Sequence, residues 1–549
     1  MKKELFEKFE RIRFDTKNQI IFFLFLFLFL FLLFGTLSYF LGQDLNWDLL
    51  NYHYYGPYSL LNERLEIDCA PAQVTTYANP LLDLPFYYGS QIMKPWLVGF
   101  VLGGVHGINF FLLLILSYLL FSNMKEKRRL TLSLICAIVG VYAPMFILEF
   151  GTTFNDNLVS IFVLSGLILI LKSYSNDLNI KRNKYFVFAA GCLIGFGVGL
   201  KIVHVFYLIA AMIAFFVCIN CLRNKIKNSL LFFVGALVGL FASFGYWMFK
   251  MFKLFGSPLF PFYNNIFKSP WYEYINFQDV RFLPETFFQA LFYPFYFALD
   301  STLVIEKSFA FRDIRFAVIY SLIIISIFTY LNIKEIFFKA TPKNLVVEIV
   351  NKHHKKETLF IYLFVFSYII WQLKFSIYRY LSALELIAPI MIVLLIEKFK
   401  ISVRMKNIIM FIILTLILIS FIPPKITTTR WSDSLFDISM ENKDKVMDNS
   451  IILFVGGFPR SYIIPYFDSK NISFVGINNN LIKQGQNNLL VQRCEKIILD
   501  NKNNSYLLAK ISEINNTQKA LHRYNLSIIQ SENYSITTKV ETLYLFKLK

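Results

Sequence analysis

IIFFLFLFLFLFLLFGTLSYFL, residues Ile20 to Leu41, runs across Gly42 into QDLNWDLLNYHYYGPYSLLNERLEIDC, residues Gln43 to Cys69, and this junction decides the fold. The first part carries no charge and is long enough to cross a bilayer, for which about 20 apolar residues suffice. The second part opens the densest polar and aromatic stretch of the chain. Continued to Lys94, it holds Asp44, Asp48, His53, Glu63, Arg64, Glu66, Asp68 and Asp83 among Trp47, Tyr52, Tyr54, Tyr55, Tyr58 and Tyr77. A span that delivers such a loop to one membrane face predicts a membrane enzyme whose reactive part is the loop.

The composition agrees. Of 549 residues, 56% are hydrophobic and 62 are Phe, an excess that a soluble surface would have to expose. The net charge of +19 could suggest nucleic acid. The basic residues instead sit in short segments between apolar runs, including KEKRR (Lys125 to Arg129), RNKIK (223–227), the segment around His353 and His354, and EKFKISVRMK. That is the pattern of loops retained inside. No nucleic-acid partner is expected. The N-terminal MKKELFEKFERIRFDTKNQ precedes a run too long for a cleaved signal, so a retained first span with its N-terminus inside is expected.

About eleven transmembrane helices follow: 20–42, 96–122, 130–148, 158–172, two within 185–222, 229–252, 316–331, 359–376, 382–396 and 408–422. An interfacial helix, rich in Phe and Tyr, is expected around 285–299. Odd parity places residues 425–549 on the outer side of the plasma membrane. The expected division is a transmembrane domain, 1–424, and a small extracytoplasmic α/β domain, 425–549. In the latter, IILFVGG, ISFVGI, SYLLAKI and TLYLFKL have strand character, while NNLLVQRCEKIILDNK and ISEINNTQKALHRYN read as helices. GGFPRSY (Gly456 to Tyr462) lies after the first strand without phosphate-loop spacing and reads as a structural turn.

Cys136, Cys192, Cys218 and Cys221 fall in or near apolar runs, where a thiol packs as a small hydrophobe. Cys69 and Cys494 are both expected outside, where a disulfide is possible, although spacing does not argue for it. No metal-binding or cofactor pattern is present.

Ionisable residues at span ends are costly unless paired or used. If the segment after the first span is helical, Asp48, Tyr52 and Tyr55 share a face at i, i+4, i+7, a carboxylate under an aromatic platform suited to a sugar ring, with His53 beside them. The alternative makes Trp47 and the tyrosines an interfacial belt and Asp48 a helix cap. Asn155-Asp156-Asn157 crowds the start of the fourth span beyond what a cap requires. Lys201 is a lone cation in apolar surroundings, read as a ligand contact or a snorkelling side chain. Arg379 offers a guanidinium suited to phosphate. His106 and His204 read as packed or partnered side chains.

An Asp-bearing outer loop after the first span, an Asn-Asp at the third-to-fourth turn and an outer C-terminal domain together resemble the GT-C glycosyltransferases, among them protein O-mannosyltransferases and the lipid A aminoarabinose transferase. DLLNYHYYGPYSLL, YANPLLDLP, GSPLFPFYNNIFKSP and YRYLSALELIAP are similar to pieces of bacterial members. The resemblance covers most of 20–422. It implies Asp48 as catalytic base and Asn155-Asp156 as its supporting pair. The Asp-Glu pair of O-mannosyltransferases is absent after Asp48, and Asp44 competes for the role. The metal pattern of oligosaccharyltransferases is not evident. The expected function is transfer, with inversion, of a sugar from a polyprenyl-phosphate donor in the bilayer to an outer glycan, lipid or protein acceptor of the cell envelope. Tyr52, His53, Tyr55, Asn155, Asp156, Lys201 and Arg379 would bind donor and acceptor. The competing reading is a transporter or flippase for a lipid-linked glycan or other anion.

Overall fold

The computed structural model describes residues 17–173, 180–218, 222–337, 355–441, 448–467 and 471–549. Residues 1–16, His353, His354 and Cys221, which figure in the sequence reading, lie outside them. In chain order the main helices are α1 (Lys17–Leu41), α2 (Pro95–His106), α3 (Ile108–Leu120), α4 (Glu126–Val141), α5 (Asp156–Ser173), α6 (Ile180–Leu200), α7 (Val205–Cys218), α8 (Leu222–Phe255), α9 (Arg315–Phe337), α10 (Lys355–Lys374), α11 (Ser382–Glu397) and α12 (Val403–Ser420).

Among the described residues, eight helices are long and apolar enough to cross a membrane: those of α1, α2 with α3, α5, α6, α8, α10, α11 and α12. The count of eleven is therefore not reproduced. α7 and the apolar part of α9 are shorter. The stretch 130–148 is not one helix either. α4 ends at Val141, and a separate helix, Pro144–Glu149, begins after extended Ala143. Pro144 has no N–H to continue the ladder and forces its predecessor out of the helical region. The groups freed at the break are taken up. Arg315 donates to the Tyr142 carbonyl at 2.9 Å, and the Met145 N–H reaches the Glu385 carboxylate at 3.1 Å.

α11 is the central helix, with every residue from Ser382 to Ile396 buried. By contrast, α1 and α12 leave large apolar side chains such as Phe25, Phe40, Phe411 and Ile419 exposed, as lipid-facing helices do. α6 and α8 meet along small residues. A Cβ at Gly195 or Gly239 would collide with the backbone of the facing helix at Ala236 or Cys192, so only glycine permits this approach. The seam fixes the end of α6, immediately before Lys201. The expected interfacial helix is two short ones, Phe287–Leu291 and Tyr293–Leu299, which leave Phe287, Phe288 and Leu299 exposed.

The strands are β1 (Gln43–Asp44), β2 (Thr428–Thr429), β3 (Ser439–Met440), β4 (Ile451–Val455), β5 (Ser473–Ile477), β6 (Ser505–Ala509), β7 (Ile528–Thr537) and β8 (Thr542–Leu548). β3 to β8 form one sheet in the order β3-β7-β8-β6-β4-β5. β4 runs parallel to β5 and β6, and β8 is antiparallel to β6 and β7. The four apolar runs of the tail supply β4, β5, β6 and β8, and its helix-like segments form Leu489–Asp500 and Ile514–Leu521. β7 was not foreseen, because Gln530 to Asn533 interrupt its apolar pattern where the pairing with β8 shifts register. The turn after β4 is structural. Arg460 donates to Glu513 at 2.8 Å and to Glu541 at 3.1 Å, and Lys510 pairs with Glu541 at 2.8 Å. Burial would raise the Glu541 carboxyl, but the hydrogen bonds from Arg460 and Lys510 outweigh it and hold it below its ordinary value.

The polar loop and this sheet are fastened together. β1 pairs with β2, so the residues just after α1 meet those that follow α12. Cys69 lies beside the β5 edge, giving its N–H to the Phe474 carbonyl at 2.9 Å and accepting from Gly476 at 2.8 Å. Its side chain forms a disulfide with Cys494 on helix Leu489–Asp500. Next to it, buried Asp68 accepts from Arg64, from the Tyr55 hydroxyl at 2.8 Å and from the Phe474 N–H at 3.0 Å. Replacing Cys69 and Cys494 together by Ser is expected to lower the stability of this junction by about 2–4 kcal/mol, seen as faster limited proteolysis of the sheet.

Candidate active site

The candidate residues come from the ends of five elements. Asp48 follows α1, Asp156 opens α5, Lys201 follows α6, His204 precedes α7 and Arg379 precedes α11. All lie at one end of the helical bundle. Asp156 is the hub. Its Oδ2 is 2.7 Å from Lys201 Nζ and 3.4 Å from Arg379 Nε, and its Oδ1 is 2.9 Å from His204 Nε2. Arg379 continues to Asp48, with Nη1 2.9 Å from Oδ2, and its guanidinium lies 4.9 Å from the centroid of the Phe154 ring. Lys201 also donates to the Phe154 carbonyl at 2.9 Å.

Exposure separates these groups. The Asp156 side chain is fully buried, whereas those of Asp48, Lys201 and Arg379 are 11%, 16% and 22% exposed. The hub is thus closed to solvent, while Asp48, Lys201 and Arg379 each keep a small exposed part. An unpaired buried charge costs several kcal/mol, which is why Asp156 holds partners. The expectation of a lone Lys201 gives way to a paired one, and His204 is partnered as expected.

Asp48 does not serve as a helix cap, since no side-chain capping bond is made at the turn it precedes. That role falls to Asn46, whose Oδ1 accepts from the Leu49 N–H at 2.8 Å. The turn is a π-helix, Leu49–His53. Its wider winding invalidates the expected i, i+4, i+7 face, a geometry particular to the α-helix. Tyr52 stays near the site. Burial, and then the Asp48 carboxylate, push its hydroxyl well above the ordinary range. Tyr55 does not. It is fully buried and donates its hydroxyl to Asp68, the partner of Arg64.

Asp44, the rival of Asp48, has both oxygens engaged. It accepts from the N–H and amide of Asn46 and from the N–H and hydroxyl of Thr153, at 2.8 to 2.9 Å. It ties the loop to the turn before α5. Burial raises its carboxyl from the ordinary value against the pull of these bonds.

Asn155 and Asp156 take different partners. Asn155 adopts φ 72°, a left-handed conformation that Asn tolerates better than most residues, and so turns its side chain away from that of Asp156. Its Nδ2 donates to Asp83 at 2.6 Å, and the same Asp83 oxygen lies 2.8 Å from His53 Nδ1. Asp83 therefore clamps the π-turn carrying Asp48 to the turn carrying Asp156. Sequence reasoning gave Asp83, Asn46 and Thr153 no role. The DLP in YANPLLDLP invited attention but carried no signal of its partner. Buried Glu149 also missed assignment, and it accepts from the Asn157 N–H at 2.8 Å. Among the described residues, no three His, Cys, Asp or Glu side chains are grouped to hold a metal ion.

No protein-family model and no curated protein matches the chain. Among solved structures it is similar to the crystal structure of the Archaeoglobus fulgidus oligosaccharyltransferase in the apo form, with 12% identity, a TM-score of 0.44, and coverage of 91% of this chain and 71% of that one.

Proposed function

We propose that this protein is a membrane glycosyltransferase that moves a sugar from a polyprenyl-phosphate donor to an acceptor hydroxyl on the outer face of the plasma membrane. The observation that supports it most is the contact of Asp48 with Arg379, with Lys201 held by the same buried hub. One molecule bringing a phosphate and an anomeric carbon can meet both kinds of group at once. In the proposed step the acceptor oxygen bonds to the anomeric carbon from the side opposite the phosphate. The bond from that carbon to the phosphate oxygen breaks, and its electron pair leaves with the phosphate. The acceptor proton passes to Asp48 as general base. Arg379 and Lys201 stabilise the charge gathering on the leaving phosphate, Arg379 through a planar fork of donors.

The Cys69–Cys494 disulfide supports the outer location, because such bonds persist in oxidising compartments. The charges stand at one end of the bundle, whereas transporters place them near the midplane. Protein in liposomes, given a labelled polyprenyl-phosphate sugar and an envelope extract, is expected to transfer the label and release polyprenyl phosphate. Label that crosses the bilayer still attached to its lipid would make the protein a flippase instead.

A further inference from the structure

We propose that Arg379 is a shutter on Asp48. It occupies the carboxylate until the phosphate of the donor takes the guanidinium over, so donor binding precedes activation of the acceptor. The inference rests on the transferase reading and adds an order of events to it. In the structure one of the two Asp48 carboxylate oxygens, Oδ2, meets Arg379 Nη1 at 2.9 Å. An oxygen in that contact is not presented to a hydroxyl.

Arg379 is anchored independently of Asp48. Its Nε faces Asp156 at 3.4 Å and its plane lies over Phe154. It can exchange one partner while keeping its place. Lys201 shares the same hub, so a phosphate held by both cations joins Asp48 and Asp156 as a third anion around two fixed positive charges.

The contact that yields is the weakest held. Asp156 is fully buried and cannot turn to water, whereas Asp48 and Arg379 are both partly exposed. The Asp48 contact is a single hydrogen bond to one carboxylate oxygen, whereas a guanidinium can grip a phosphate through two. The exchange therefore runs from carboxylate to phosphate. The Asp48 oxygen is released beside the newly bound donor, and not before.

The test reads Asp48 directly. Full-length protein in nanodiscs is treated with a carbodiimide and an amine, and modification of the Asp48 peptide is followed by mass spectrometry, with binding of polyprenyl monophosphate measured in parallel. Bound polyprenyl monophosphate is expected to speed Asp48 labelling about five-fold, the release expected from a partly exposed ion pair. The same rise with inorganic phosphate would support the shutter and assign the trigger to phosphate rather than to lipid. Arg379→Gln and Arg379→Lys test the mask without ligand, and the Gln variant is expected to label fast from the start. Binding without faster labelling, or an Arg379→Gln variant that labels as slowly as the native protein, would overturn the shutter and leave the transferase reading standing. Absence of any phosphate binding would overturn both.

Discussion

Asp48→Asn is expected to lower sugar transfer by about 10²- to 10⁴-fold, the range a positioned general base contributes. The substitution suits the geometry. Asparagine keeps the size of the side chain, and its oxygen can still accept from Arg379 Nη1. No helix cap is lost, since Asn46 does the capping. Folding should therefore survive, and initial rates alongside a melting curve separate chemistry from stability. An unchanged rate in a folded variant removes Asp48 as the base. Asp44→Asn gives the contrast, because it disturbs the ties to Asn46 and Thr153 and should show first as lost stability.

Asp68→Ala is expected to cost about 3–5 kcal/mol, because it leaves buried Arg64 without its counter-charge. Arg64 and Asp68 are 1% and 2% exposed. Asp68 joins Arg64, Tyr55 and the Phe474 N–H, so one carboxylate links two points of the first loop to β5. Replacing the pair together, Arg64→Met with Asp68→Leu, should recover much of the loss, since a buried ion pair is often no better than apolar packing of similar volume. Denaturant unfolding of the three variants reads the difference. A single Asp68→Ala variant as stable as the native protein would show that Arg64 finds another partner.

The sequence carried a good deal of this arrangement. Asp48, Asp156, Lys201 and Arg379 stand out in the chain because each is a charge where an apolar span begins or ends, and such a charge must be paired or used. Their partners were not readable. Asp48 and Arg379 are 331 residues apart, and nothing local to either names the other. The same holds for Cys69 and Cys494, separated by 425 residues. Tyr55 points elsewhere because the residues between it and Asp48 wind as a π-turn, which an α-helical period does not describe. The broken helix at Pro144 was readable in principle. A hydrophobicity pattern over 130–148 outweighed a proline whose effect is local and decisive. β7 hides its strand character behind the polar residues at its bulge.

The pairing of Gln43 with Thr429 has a consequence for how the protein is made. Every candidate catalytic side chain is synthesised before residue 380, yet the scaffold around them closes only when later segments arrive. The ribosome must deliver β2, then β5 and Cys494, before the first loop acquires its partners in the tail. A nascent chain that already holds Asp48, Asp156 and Arg379 therefore still lacks the β1–β2 pairing and the Cys69–Cys494 link.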